Sequence, residues 1–113
     1  NKYPDDSLSA EYLFRSSDLA RGLGDSKNSI SYLENICKKY PKYKRIPECL
    51  FLQGYYHQEF FKDSVQAKYF YTQLIEKFPA HPFSKDAKVL LQLFGKSDAD
   101  VIKDFEKKES QKN

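Results

Sequence analysis

A lysine, an aromatic residue and a proline stand in a row three times in this chain: Lys2-Tyr3-Pro4, Lys39-Tyr40-Pro41 and Lys77-Phe78-Pro79, at intervals of 37 and 38 residues. Proline lacks the amide hydrogen and its ring clashes with the preceding helical turn, so it cannot sit inside a regular helix. Three such stops at nearly even spacing predict one supersecondary unit used repeatedly. The register runs beyond the tripeptide. Seven residues after Pro4 comes Glu11-Tyr12-Leu13-Phe14, and seven after Pro41 comes Glu48-Cys49-Leu50-Phe51. A period of this length, filled with helical patterning, predicts an all-α array of stacked helix–turn–helix units.

The punctuation between the prolines divides the units into helices. Asp5-Asp6-Ser7 offers N-cap chemistry for a first helix over about residues 8–21, and Gly22-Leu23-Gly24 ends it, since glycine takes the left-handed C-cap conformation at little cost. Asp25 or Ser26 caps a second helix whose apolar positions, Ile30, Leu33, Ile36, Cys37 and Tyr40, form one stripe at 3.6 residues per turn. Ile46-Pro47 opens a third helix, over about 47–60, with proline at a favoured first position. Asp63-Ser64-Val65-Gln66 resembles a cap with a glutamine three residues on, and starts a fourth helix with the stripe Ala67, Tyr71, Leu74, Ile75 and Phe78. The second and fourth helices align at 38 residues: Leu33 on Tyr71, Ile36 on Leu74, Tyr40 on Phe78. A fifth helix is expected over about 84–94, ended by Gly95. Ser97-Asp98-Ala99-Asp100 then reads as the start of a short helix with a single apolar stripe (Val101, Ile102, Phe105), suited to capping the array over 97–108. The units thus fall at about 8–41, 46–79 and 84–95 of a single domain covering 1–113.

Composition narrows the function classes. The 113 residues are long enough for a core if the helices stack. Charged residues make up 31% with a net charge of +3, acids and bases interspersed, so electrostatics do not call for a nucleic acid or an anionic membrane. No apolar run approaches the ~20 residues that span a bilayer. With nine Tyr and nine Phe but no Trp, most aromatic side chains are expected between helices. The chain contains no methionine, which fits a processed or excised form and leaves any signal or lipid-anchor cysteine outside it.

The chain resembles the tetratricopeptide repeat, a helix–turn–helix unit of about 34 residues. In that family a small residue of the first helix meets a small residue of the second, and proline ends the unit. The matching positions are Gly54, Ala67 and Pro79 in the second unit, and Ser17, Ser29 and Pro41 in the first. Serines in both small positions of unit one, one extra residue in the 59–63 turn, and a longer link after each proline depart from the family pattern. These features look most like the envelope subgroup, typified by Tol-Pal-associated periplasmic proteins and outer-membrane assembly lipoproteins. The resemblance implies a right-handed superhelical stack and a non-catalytic protein–protein interaction module, an adaptor or scaffold in the periplasm or at the outer membrane of a bacterium. It also implies a protein or peptide segment as partner, without cofactor, metal, nucleic acid or membrane insertion. A self-association module, whose concave face is filled by a second copy in a homodimer, is the alternative.

Carried over by register, the family's concave face would hold Glu11, Phe14, Asp18 and Arg21 from unit one, with Glu48, Phe51, Tyr55 and Gln58 from unit two. Such a face combines an aromatic floor with polar groups, suited to an extended or helical segment. The alternative, and the commoner fate of an aromatic stripe, is that Phe14 and Phe51 pack against each other as core.

Other patterns carry less. His57-Gln58-Glu59 matches the H-x-E of zinc deaminases, but the downstream P-C-x-x-C that completes such a site is missing. His81, in the Ala80-His81-Pro82 turn, is expected to be solvated. No phosphate-binding loop, dinucleotide glycine pattern or nucleophile elbow occurs. Lys38, Lys39, Lys42, Lys44 and Arg45 cluster around one turn; a patch for a phosphate or an acidic partner is one reading, and basic residues that complement a helix C-terminus and stay in water are the favoured one. Cys37 and Cys49 flank the same turn. A bridge is conceivable if their Cα atoms come within about 7 Å, but the apolar stripe around Cys37 favours a buried free thiol.

Overall fold

A computed structural model of the chain describes residues 5–94, with side chains from Ser7 onward. Five helices follow one another: α1 (Asp5–Gly22), α2 (Ser26–Lys39), α3 (Ile46–Glu59), α4 (Ser64–Lys77) and α5 (Pro82–Leu93). No strand occurs among the described residues. The helix expected over 97–108 lies outside them.

Local chemistry sets most of these boundaries, although α1 begins at Asp5, inside the Asp5-Asp6-Ser7 run expected to cap it. Gly24 takes φ +82°, and a paired set of hydrogen bonds closes α1 around it: Asp25 N–H donates to the Ala20 carbonyl at 2.8 Å and Gly24 N–H to that of Arg21 at 3.0 Å. Only glycine enters that conformation without a Cβ penalty. The Asp25 carboxylate accepts from Asn28 N–H at 3.1 Å, and Asp63 caps α4 in the same way through Gln66 N–H at 3.1 Å. Lys62, just before that cap, lies at φ 53°. The longer turn of unit two therefore uses a lysine in the left-handed region where unit one uses glycine.

α5 starts at Pro82, two residues before its expected start. His81 is the reason. Its Nδ1 accepts from Phe83 N–H at 3.0 Å, so the ring is a helix cap, half-buried against the Phe83 ring, and not a freely solvated turn residue. Ser84 is buried and donates its hydroxyl to the Phe78 carbonyl at 2.6 Å, tying α5 to the end of α4.

α1 packs on α2 and α3 on α4 within units, while α2 on α3 and α4 on α5 join neighbouring units. Between them lies one core containing Ala10, Phe14, Leu33, Ile36, Cys49, Leu50, Ala67, Tyr71, Leu74 and Ala87. The two intra-unit crossings are built differently. In unit one the buried Ser29 hydroxyl donates to the Ser17 carbonyl at 2.8 Å, so a pair of serines replaces apolar small residues and satisfies its own polarity. In unit two Ala67 is fully buried, as the register required. The group nearest Gly54, however, is not Ala67 but Tyr71, one turn further along α4. A Cβ on Gly54 would stand 2.6 Å from the Tyr71 Cε1.

Candidate interaction surface

Seven of the eight residues assigned to the concave face divide into three groups, and Gln58 stands apart from them. The first is an ionic cluster joining the two units. Tyr43, in the link between α2 and α3, donates its hydroxyl to Glu11 Oε1 at 2.8 Å. Arg45 Nη1 lies 3.2 Å from Glu48 Oε2, and Arg45 Nε lies 3.9 Å from Glu11 Oε1. Burial and the adjoining Glu11 carboxylate push the Tyr43 phenol above its usual pKa, and the Glu48 carboxylate raises that of Arg45. Glu11 and Glu48, 37 positions apart, thus converge on one guanidinium.

The second group is core. Phe14 is only 8% exposed. Arg45 lies over its ring at 5.3 Å and Tyr43 meets it edge-on at 6.4 Å. The expectation that Phe14 shares an open aromatic floor with Phe51 is therefore corrected: the inter-unit cluster roofs it over. Phe51 is half-buried and joins three helices, stacking on Phe83 of α5 at 5.1 Å and tilting against Tyr71 of α4 at 5.7 Å. Its expected partner for mutual packing, Phe14, is not the one it finds.

Open to solvent are Asp18, Arg21 and Tyr55. The Tyr55 ring is 40% exposed and lies parallel to Phe51, 6.4 Å away. Gln58 is half-buried and accepts the Tyr71 hydroxyl at 2.9 Å, so its carbonyl is already engaged. Sequence reasoning missed Tyr43, Arg45 and Phe83. Tyr43 and Arg45 sit inside a run of lysines that reads as a solvated turn, and only their convergence on Glu11 distinguishes them.

The remaining candidates have places of their own. The His57 ring lies flat on Phe70 at 5.6 Å. Among the described residues no group of three His, Cys, Asp or Glu side chains converges on a point that could hold a metal. Cys37 and Cys49 are both free thiols. The Cys49 thiol and Gln53 Nε2, the latter at 3.4 Å, donate to Cys37 Sγ, which lowers its pKa, while the buried Cys49 thiol is pushed up. Lys39, Lys42 and Lys44 rim a cleft of about 660 Å³ shared with Ser7, Tyr40, Pro41 and Tyr43. No helix among the described residues is long and apolar enough to cross a membrane.

Helix pairs stacked in succession, joined between units by polar and aromatic contacts, define a helical-repeat scaffold. The family model for the tetratricopeptide repeat matches residues 11–43 and 48–81. The chain belongs to that family, whose repeats generally mediate protein–protein interaction. No curated protein and no solved structure matches the chain.

Proposed function

We propose that this chain is a non-catalytic adaptor of a bacterial cell envelope, periplasmic or associated with the outer membrane, that binds a segment of another protein across its concave face. The observation that carries the binding reading is Tyr55. It is an exposed aromatic ring held parallel to Phe51, on a helix anchored by the buried Cys49, Leu50, Gln53 and Tyr56, with the open charges Asp18 and Arg21 on the first helix of unit one. A rigid aromatic group beside adaptable charges is the usual chemistry of a peptide anchor. The envelope setting rests on the departures from the family pattern, namely the serine pair at the unit-one crossing and the long links after proline.

A photo-crosslinking side chain at Tyr55 in the producing cell tests the site. It should capture one partner, and Asp18→Arg should weaken that capture. Equal capture from Val89, an exposed residue of α5, would sink the concave-face assignment. Fractionation that leaves the protein in the cytoplasm would remove the envelope role without touching the binding site.

A further inference from the structure

The α2–α3 and α4–α5 joints follow one backbone template. At the first, Tyr43 N–H donates to the Tyr40 carbonyl and Ile46 N–H to that of Tyr43. At the second, 38 residues later, His81 N–H donates to the Phe78 carbonyl and Ser84 N–H to that of His81. In the same register Cys37, Cys49 and Gln53 of the first joint correspond to Ile75, Ala87 and Leu91 of the second. Ala87 belongs to the core, and Ile75 and Leu91 pack against it. The second joint therefore closes with apolar side chains at these positions, whereas the first holds two thiols and an amide. Packing alone does not call for them.

The three groups touch. Gln53 donates through Nε2 to Cys37 Sγ at 3.4 Å and to the Cys49 carbonyl at 3.1 Å. Its Oε1 is buried without a partner among the described residues, a cost that a leucine at the same place avoids. The Cys49 thiol, in the first turn of α3, donates to Cys37 Sγ, in the last turn of α2. Two donors on one sulfur favour the Cys37 thiolate. Cys49 is sealed from water, while Cys37 is only half-buried. The pair is asymmetric: a reachable thiol inclined to ionise, backed by a sealed thiol already in contact with it. An accessible cysteine beside a resolving one is the arrangement that redox-active thiols use.

We propose that Cys37 and Cys49 are a redox-active pair that closes to a disulfide by exchange with a disulfide oxidant, locking α2 to α3 across the joint between the units. The Cys37 thiolate attacks one sulfur of the oxidant. The oxidant's S–S bond breaks, one half leaves as a thiol carrying the Cys37 proton, and the other half stays on Cys37 as a mixed disulfide. The Cys49 sulfur then attacks Cys37 Sγ and expels that second half, which leaves as a thiol carrying the Cys49 proton. Two thiols of the protein become one disulfide, and the oxidant's disulfide becomes two thiols. Tyr55 takes no part, so the inference stands independently of the concave-face reading.

The test takes the whole chain, reduced and freed of reductant, exposes it to oxidised glutathione, and follows it by mass spectrometry and thermal melting. Wild type should lose about 2 Da, the two thiol hydrogens, and regain them with dithiothreitol. Its tryptic digest should contain one peptide pair joining Cys37 to Cys49. The two cysteines stand twelve positions apart, and closing a loop of that size should raise the melting temperature by about 10 °C. Cys49→Ala, which gives the first joint what the second has at Ala87, should stop with one glutathione on Cys37. Cys37→Ala, with its helical circular dichroism retained, should stay unmodified because Cys49 is sealed. A wild type that stays reduced, keeps glutathione or links only to other copies overturns the proposal. An oxidised form that melts no higher than the reduced one overturns the lock, and glutathione added as fast to Cys37→Ala as to Cys49→Ala overturns the order of attack.

Discussion

Gly54 of α3 lies directly against the ring of Tyr71 of α4, close enough that a β-carbon on Gly54 would meet Tyr71 Cε1 at 2.6 Å. The ring cannot readily withdraw. Tyr71 is fully buried, its hydroxyl donates to Gln58, and Phe51 packs against it. Gly54→Ala should therefore destabilise the domain despite alanine's better helix propensity. The propensity gain is about 1 kcal/mol, whereas overpacking a filled crossing costs ~1–3 kcal/mol. A melting temperature that rises on Gly54→Ala would show that the crossing has room to relax.

Phe51 and Tyr55 stack on one another but should respond oppositely. Phe51 holds α3 to α4 and α5, so Phe51→Ala should lower stability by about 3 kcal/mol, the lower end for a large aromatic because the ring is only partly covered. Tyr55→Ala should leave urea unfolding nearly unchanged while weakening partner capture by about 2 kcal/mol. Loss of the fold with Tyr55→Ala would place that ring in the core.

Alkaline pH should loosen the joint between the units. Folding raises the pKa of Tyr43, chiefly by burial and then by its bond to Glu11, and burial raises those of Tyr56 and Tyr71. The native state holds these phenolic protons more tightly than the unfolded chain. Their contribution to stability is thus complete below the ordinary phenol value of 10.0 and is lost as pH climbs above it. Tyr43→Phe should cost about 1 kcal/mol at neutral pH for the lost hydrogen bond, and should make the alkaline decline shallower. Denaturant midpoints measured on both proteins across the alkaline range would check this, and parallel curves would exclude Tyr43.

Lys62 holds a left-handed backbone conformation without being glycine. That geometry costs an ordinary residue roughly 1–2 kcal/mol, part of which glycine returns through the greater freedom of its unfolded state. Lys62→Gly should stabilise the domain by up to about 1 kcal/mol. A lower urea midpoint would show that the lysine side chain contributes packing that outweighs its backbone.

The helices, their order and the family were readable from the chain alone, because they rest on local and periodic causes. Prolines stop helices, Gly24 turns left-handed, Asp25 and Asp63 cap, and the stripe Leu33–Ile36–Tyr40 repeats as Tyr71–Leu74–Phe78. None of these needs a distant partner. The start of α5 was missed because the cap is a histidine, a residue whose capping depends on ring orientation and not on type. The surface behaved differently. Phe14 and Phe51 occupy one register position, yet Phe14 is roofed by Tyr43 and Arg45 while Phe51 finds Phe83. Gly54 meets Tyr71 and not the small residue that its register suggests. Tyr12 and Cys49 are also register equivalents, one open to water and the other sealed. Periodicity gives each side chain a direction on its helix. Whether another helix stands in that direction is decided by the stacking of units, which only the tertiary structure contains.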